Sequence, residues 1–131
     1  MTLRDAPVRA TVAVTDIGAA AAFYEGTLGL APEPGEGMDQ VRIYACGAGT
    51  FLQVYVSEHA GTAAATVASW TATDDFDTVI DELAATGVGF ERYDGLEADE
   101  RGVHRFGAHR VAWFRDPDGN TLALDNGASP G

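Results

Sequence analysis

The sequence predicts an α+β fold in which a β-α-β-β unit occurs twice and the two mixed sheets pair into an open, cup-shaped enclosure around a cavity. Two alignments within the chain predict it. Thr15-Asp16-Ile17 lines up with Asp74-Asp75-Phe76 at an offset of 59, and Gly49-Thr50-Phe51-Leu52-Gln53-Val54 lines up with Gly119-Asn120-Thr121-Leu122-Ala123-Leu124 at an offset of 70. Each unit has one sheet face covered by its helix and another that still needs cover. Pairing two such sheets supplies that cover and leaves a pocket between them.

Val8 to Val14 mixes small, β-branched and polar residues, as suits a strand with two unlike faces. Asp16 then caps a helix whose apolar positions, Ile17, Ala20, Ala21, Tyr24 and Leu28, recur at helical spacing, with Gly26 or Gly29 as the stop. Ala31 to Asp39, rich in Pro and Gly, reads as a loop, and VRIYACG and TFLQVYVS read as two strands around a Gly-Ala-Gly turn. The second unit opens with the strand Ala65 to Ala72. Asp74-Asp75 then precedes a helix with Phe76, Val79, Ile80 and Leu83 on its apolar side, closed by Gly87. GFERYD is extended, and the polar stretch from Gly95 to Gly107 reads as a long loop. HRVAWFR and NTLALD are strands joined by the turn Asp116-Pro117-Asp118-Gly119, whose carboxylates are expected in solvent. The 131 residues thus form one domain, with units at about 8–57 and 65–125 and a linker at about 58–64.

Composition narrows the function. With 46% hydrophobic residues the chain can bury a core, and twenty Asp+Glu against eight Lys+Arg give a net charge of −12. That field repels phosphate backbones and anionic headgroups, so neither nucleic acid nor a membrane is an expected partner, whereas a cationic ligand is tolerated. The single cysteine, Cys46, is read as a structural thiol at a strand end. The absence of a long apolar stretch points to a cytoplasmic protein.

VAVTDIGAAAAFYEGTLGL at one end and VAWFRDPDGNTLAL at the other, on a duplicated unit, resemble the vicinal oxygen chelate superfamily, also called the glyoxalase/bleomycin-resistance/dioxygenase group. The resemblance runs from Val8 to about Asp125 and implies paired βαβββ modules, a cavity inside an open sheet, and a homodimer that completes or shares the site. It also implies four inward metal-ligand positions, at the start of each module's first strand and on each last strand. Here they fall on Arg9, Gln53, Ala68 and Ala123. Arginine has no lone pair to offer, alanine has no donor atom, and one amide oxygen does not hold a divalent ion. A shift of one residue brings in Val8, Ala10, Leu52, Val54, Val67, Ser69, Leu122 and Leu124, none of them a strong ligand. The expectation is therefore no metal and no cofactor, the minor alternative being a divalent metal on His104 and His109 with Glu91 or Asp94.

Taking those four positions as the inward phase, alternation along the strands adds Thr11, Ala13, Phe51, Tyr55, Trp70 and Ala72 to the inward set. The candidate ligand-binding residues are Arg9, Thr11, Phe51, Gln53, Tyr55, Trp70 and Trp113. Either Trp113 or its neighbour Phe114 faces inward, the phase of that strand being open. Phe51 and Trp70 are also candidates for plain core. Arg9 must find an acceptor, either a ligand carboxylate or an acidic side chain from the segment Glu91 to Glu100. Three functions follow: a metal-independent binding protein that sequesters an aromatic or cationic compound, an enzyme of lyase, isomerase or dioxygenase type using loop-supplied groups such as Glu91, His104, His109 or Tyr55, and a dimerisation module with a filled cavity.

Overall fold

The computed structural model describes residues 2–5, 8–34 and 40–128. β1 (Ala10–Val14) leads into α1 (Ile17–Ala21), where Asp16 is extended and its carboxylate accepts the Gly18 N–H at 2.9 Å. That is an N-cap, which satisfies a donor the helix cannot satisfy itself. The helix then widens over Ala22–Thr27 into a π turn, with the Leu28 N–H donating to the Phe23 carbonyl at 2.9 Å, and Gly29 at φ 75 ends it. β3 (Val41–Ala45) and β4 (Phe51–Val56) follow a short β2 (Ala31–Pro32). The expected loop at Ala31 to Asp39 thus begins as an edge strand, where a proline is tolerated because no ladder donor is needed from it; residues 35–39 of that expected loop lie outside the described residues.

The second unit contains β5 (Thr66–Thr71), α2 (Phe76–Ala85), β6 (His104–Phe106), β7 (His109–Arg115) and β8 (Thr121–Asp125). α2 ends where Gly87, at φ 98, donates to the Ala84 carbonyl and Val88 donates to the Leu83 carbonyl, both at 3.1 Å. The reversed backbone that lets both bonds form favours glycine. The long loop expected from Gly95 to Gly107 is corrected. Its last residues form β6, held against β7 and folded back on Ala98 and Asp99, whose carboxylate accepts the Val103 N–H at 3.0 Å. Charge hid this strand, because it is three residues long and sits on a sheet edge.

Each unit is therefore βαβββ, with sheet orders β1-β4-β3-β2 and β5-β8-β7-β6. The first and last strands of each unit are parallel neighbours and the other pairs are antiparallel, so both sheets are mixed. β1 runs beside β5, which joins the two units within one chain. On the helix side, Val12, Val14, Leu52, Val54, Tyr24 and Tyr44 pack into one core with Ala68, Phe114 and Leu122 of the second unit.

The turn between β7 and β8 locks the units together and corrects the expectation of solvated carboxylates. Asp116 and Asn120 are only 5% and 4% exposed. Asp116 accepts the Tyr24 hydroxyl at 2.8 Å, the Asn120 side-chain amide at 2.8 Å, and the backbone N–H groups of Asp118 and Asn120 at 3.0 and 2.9 Å. Asn120 in turn donates to the Ala13 carbonyl in β1 at 2.7 Å, and Asp118 accepts both the N–H and the hydroxyl of Thr15. A turn motif from the second unit thereby closes the start of the first unit's helix.

Candidate functional site

Alternation along β1 and β4 places Val12, Val14, Leu52 and Val54 against the helices, and so directs Arg9, Thr11, Phe51, Gln53 and Tyr55 to the opposite, helix-free face. Thr11, Gln53 and Ile43 lie in register across β1, β4 and β3. Arg9 precedes β1 and reaches over this row. Its Nη1 donates to Gln53 Oε1 at 3.0 Å, and the guanidinium carbon stands 5.7 Å from the centre of the Phe51 ring. Among the described residues no carboxylate pairs with it, so the expected alternative partner in the segment Glu91 to Glu100 is not used. Three other arginines are engaged by acids: Arg101 and Arg110 converge on Asp77 at 2.8 and 3.0 Å, and Arg115 meets Glu91 at 3.2 Å. Those two guanidinium groups hold the Asp77 carboxyl well below the usual carboxylate range and tie the chain around Arg101 to α2.

The candidate residues do not form one cluster. Arg9, Gln53 and Phe51 meet. Thr11 and Tyr55 line a separate small cavity of about 150 Å³ with Val67 and the linker residues His59, Gly61, Thr62 and Ala63. Trp113 lies in the second sheet, opposite Ala123, and donates its indole N–H to the Thr66 hydroxyl at 3.1 Å. This settles the phase of β7, since Ala112 and Phe114 belong to the helix-side core.

The facing of Trp70 along β5 is corrected, although its ring still lines a cavity of about 210 Å³ together with Phe51. A register shift between Thr66 and Ala68 pairs Ala68 with Leu122, Ser69 with Ala123 and Trp70 with Leu124. Ala68 and Trp70 therefore point with Leu122 and Leu124 into the helix side, where Trp70 stacks on Phe114 with ring centres 6.3 Å apart and Ala72 packs nearby. One extra residue reverses every side chain beyond it, which periodicity alone does not reveal.

The same shift bears on the metal-ligand positions. The side chains facing Arg9's side are Gln53, Ala123 and, on β5, Ser69 in place of Ala68. An arginine, an amide, a hydroxyl and a methyl do not fit a divalent ion. Among the described residues no three His, Cys, Asp or Glu side chains come together in a way that suits one. His109 Nδ1 is instead bonded to the Ala128 carbonyl at 2.7 Å, and His59 is exposed beside Glu58.

His104, which the sequence reading left inside the long loop from Gly95 to Gly107, is also corrected. It is fully buried in β6 on the helix-free side, between Trp113 and Tyr93, with ring centres 5.1 and 5.9 Å away. Neither ring nitrogen has a hydrogen-bond partner among the described residues. Burial, reinforced by the charge of Arg92, lowers its pKa, although the Asp99 carboxylate opposes this. The folded protein thus resists a proton that the unfolded chain accepts below about pH 6.5. Stability is full above that pH and falls as the pH drops through it. The variant His104→Phe, which keeps a ring but has no nitrogen to leave unpaired, is expected to flatten the loss of melting temperature between pH 7.5 and 5.5. Parallel losses in both proteins would contradict this.

No helix among the described residues is long and apolar enough to cross a membrane. Comparison with known proteins places the whole architecture. Residues 7–124 match the Glyoxalase/Bleomycin resistance protein/Dioxygenase superfamily. A glyoxalase/bleomycin resistance protein from Catenulispora acidiphila is 26% identical, with a TM-score of 0.64 over 91% of this chain and 96% of that one. Lactoylglutathione lyase from Agrobacterium tumefaciens is 20% identical, with a TM-score of 0.68 over 94% of each chain. A fosfomycin resistance protein from Listeria monocytogenes, solved with Mn(II) and a dihydroxypropylphosphonic acid, is 16% identical, with a TM-score of 0.63 over 95% of this chain and 91% of that one. At such identities the last two share the fold alone. No curated protein matches the chain significantly. The duplicated βαβββ unit, the parallel pairing of first and last strands and the family match together show that the chain belongs to the glyoxalase/bleomycin resistance protein/dioxygenase superfamily.

Proposed function

We propose that the protein is a small-molecule binding protein that holds an aromatic acid on the helix-free face and needs no strand-held divalent metal to do so. The observation that carries this reading is Arg9. At the position where the family resemblance implies a metal ligand stands a guanidinium, oriented by Gln53 and backed by the Phe51 ring, with no carboxylate paired to it among the described residues. A planar fork of donors aimed off a sheet suits a carboxylate, and an adjacent ring offers a surface on which a flat body can stack. Of the aromatic or cationic ligands the composition admits, this face favours the aromatic acid, because a fixed positive charge repels a cation. The fixed guanidinium also does the electrostatic work of a cation without needing four converging ligands.

The test is a thermal-shift series on dialysed protein, since a ligand that binds only the native state raises the melting temperature by mass action. Benzoate, cinnamate and naphthoate are expected to raise it equally with and without chelator, and Zn, Ni or Mn alone to leave it unchanged. A shift by the metals alone, or a response to the acids that appears only with metal present, would overturn the reading. One observation favours an enzyme as the second reading. His104 offers two ring nitrogens without a hydrogen-bond partner among the described residues, beneath Trp113 and Tyr93 on the same side of the sheet. Turnover of a thiol–glyoxal adduct that disappears in His104→Phe while aromatic-acid binding persists would favour it.

A further inference from the structure

An apolar cavity lies on the other side of the sheet. It measures about 300 Å³, the lower end of the range for small-molecule sites, and lies between the end of the first unit's helical segment and α2. Leu28, Val79 and Leu83 form its walls, and Trp70 and Phe114 form its floor. Trp70 is half-buried, so part of its ring is open to the cavity.

Among the described residues, the only charged side chain lining the cavity is the carboxylate of Asp75. This carboxylate differs from its counterpart in the internal duplication. Its counterpart Asp16 caps α1 by accepting the Gly18 N–H, whereas Asp75, at φ −119 and ψ 23, caps nothing with its side chain. Among the described residues the Asp75 carboxylate has no hydrogen bond or ion pair. The chain carries no lysine, and none of its eight arginines lines this cavity. An apolar slot with an aromatic floor, one free carboxylate at its edge and a net charge of −12 around it complements a compact apolar body ending in a protonated amine.

We propose that this cavity is a second ligand site, separate from the Arg9 face, which takes a small arylalkyl amine with its ring on Trp70 and its ammonium at Asp75. The inference does not depend on the Arg9 reading, because the two sites face opposite sides of the sheet and carry opposite charge.

The two tryptophans provide the test, since Trp70 lies at this cavity and Trp113 on the opposite face. Their two indole N–H resonances, assigned with Trp113→Phe, are followed while 2-phenylethylamine or its neutral counterpart 2-phenylethanol is added. The amine is expected to shift the Trp70 signal saturably and leave Trp113 still, and to bind about three- to tenfold more tightly than the alcohol, the range for a partly exposed charge pair with a ring nearby. Asp75→Asn is expected to bring the amine down to the alcohol's affinity without changing the melting temperature, because no cap is lost. Val79→Phe, which fills the slot, is expected to abolish binding of both. The proposal is overturned if no saturable shift occurs, if Trp113 moves with Trp70, or if Asp75→Asn binds the amine as the parent does. It is also overturned if the Trp70 signal changes with protein concentration alone, since a second copy of the chain would then occupy the slot.

Discussion

Asp116→Ala is expected to lower the stability of the folded protein by about 3–5 kcal/mol, the range for removing one partner of a buried, charge-assisted network. The reason is the number of donors that converge on one carboxylate. The Tyr24 hydroxyl, the Asn120 amide and two backbone N–H groups lose their acceptor together, in a place where only 5% of the residue meets solvent. Burial and the negative charge of Asp116 raise the Tyr24 pKa far above its ordinary range, so the hydroxyl stays a donor at every working pH. Tyr24→Phe removes a single member and is expected to cost about 1–2 kcal/mol. Urea unfolding of the three proteins measures both effects. A loss in Asp116→Ala no larger than that in Tyr24→Phe would show that the turn is not what joins the units.

The second large effect is expected at Gly61, in the linker. Its φ is 72, and a Cβ built there would overlap the carbonyl oxygen of Asp118. Its own N–H donates to the side-chain oxygen of Asn120 at 3.3 Å, so the linker is pressed onto the same turn that Asp116 organises. Gly61→Ala meets a left-handed penalty of about 1–2 kcal/mol and must also push backbone aside, for a total loss of roughly 2–4 kcal/mol. Gly26→Ala is the control. It sits in the first helical segment without positive φ, nothing lies within 4 Å of the added carbon, and it is expected to be neutral or stabilising by up to about 1 kcal/mol. Equal melting temperatures for the two variants would contradict the close approach of linker and turn.

These two positions also mark where sequence reasoning stops. The Asp16 cap, the strands around Val41 and Phe51 and the closing strand NTLALD are legible because each is governed by a local rule, capping or alternation. The face of Arg9, Thr11, Gln53 and Tyr55 is legible for the same reason, since β1 and β4 pair without interruption. Trp70 is misplaced because the irregularity between Thr66 and Ala68 is a property of the pairing with β8, not of the residues themselves. The burial of Asp116 and His104 is equally non-local. An aspartate in a turn and a histidine in a polar stretch look solvated until the partner element arrives, here Tyr24 from the first helical segment and Tyr93 with Trp113 from around β7. A signal did exist for Asp116. The turn is the one acidic motif shared with the family resemblance at the far end of the chain, and its Asp-Pro-Asp-Gly-Asn order supplies a side-chain acceptor and an amide donor within five residues.

The same logic explains how this fold carries two chemically different faces. The two units share one core of buried side chains, and side chains outside it then vary without disturbing the packing. On one face the variation places an arginine where a metal ligand is implied. On the other it leaves a gap between helices over Trp70.

The central claim is that Arg9 does the work of a bound cation. Calorimetric titration of naphthoate into chelator-treated protein, with Arg9→Met as the comparison, tests it most directly. Loss of one charge-assisted hydrogen-bonding partner, worth about 1.5–3 kcal/mol, is expected to weaken binding by roughly 10- to 100-fold in Arg9→Met while the fold and melting temperature are retained. Equal affinities in the two proteins, or binding by the parent only after a divalent metal is restored, would contradict the account.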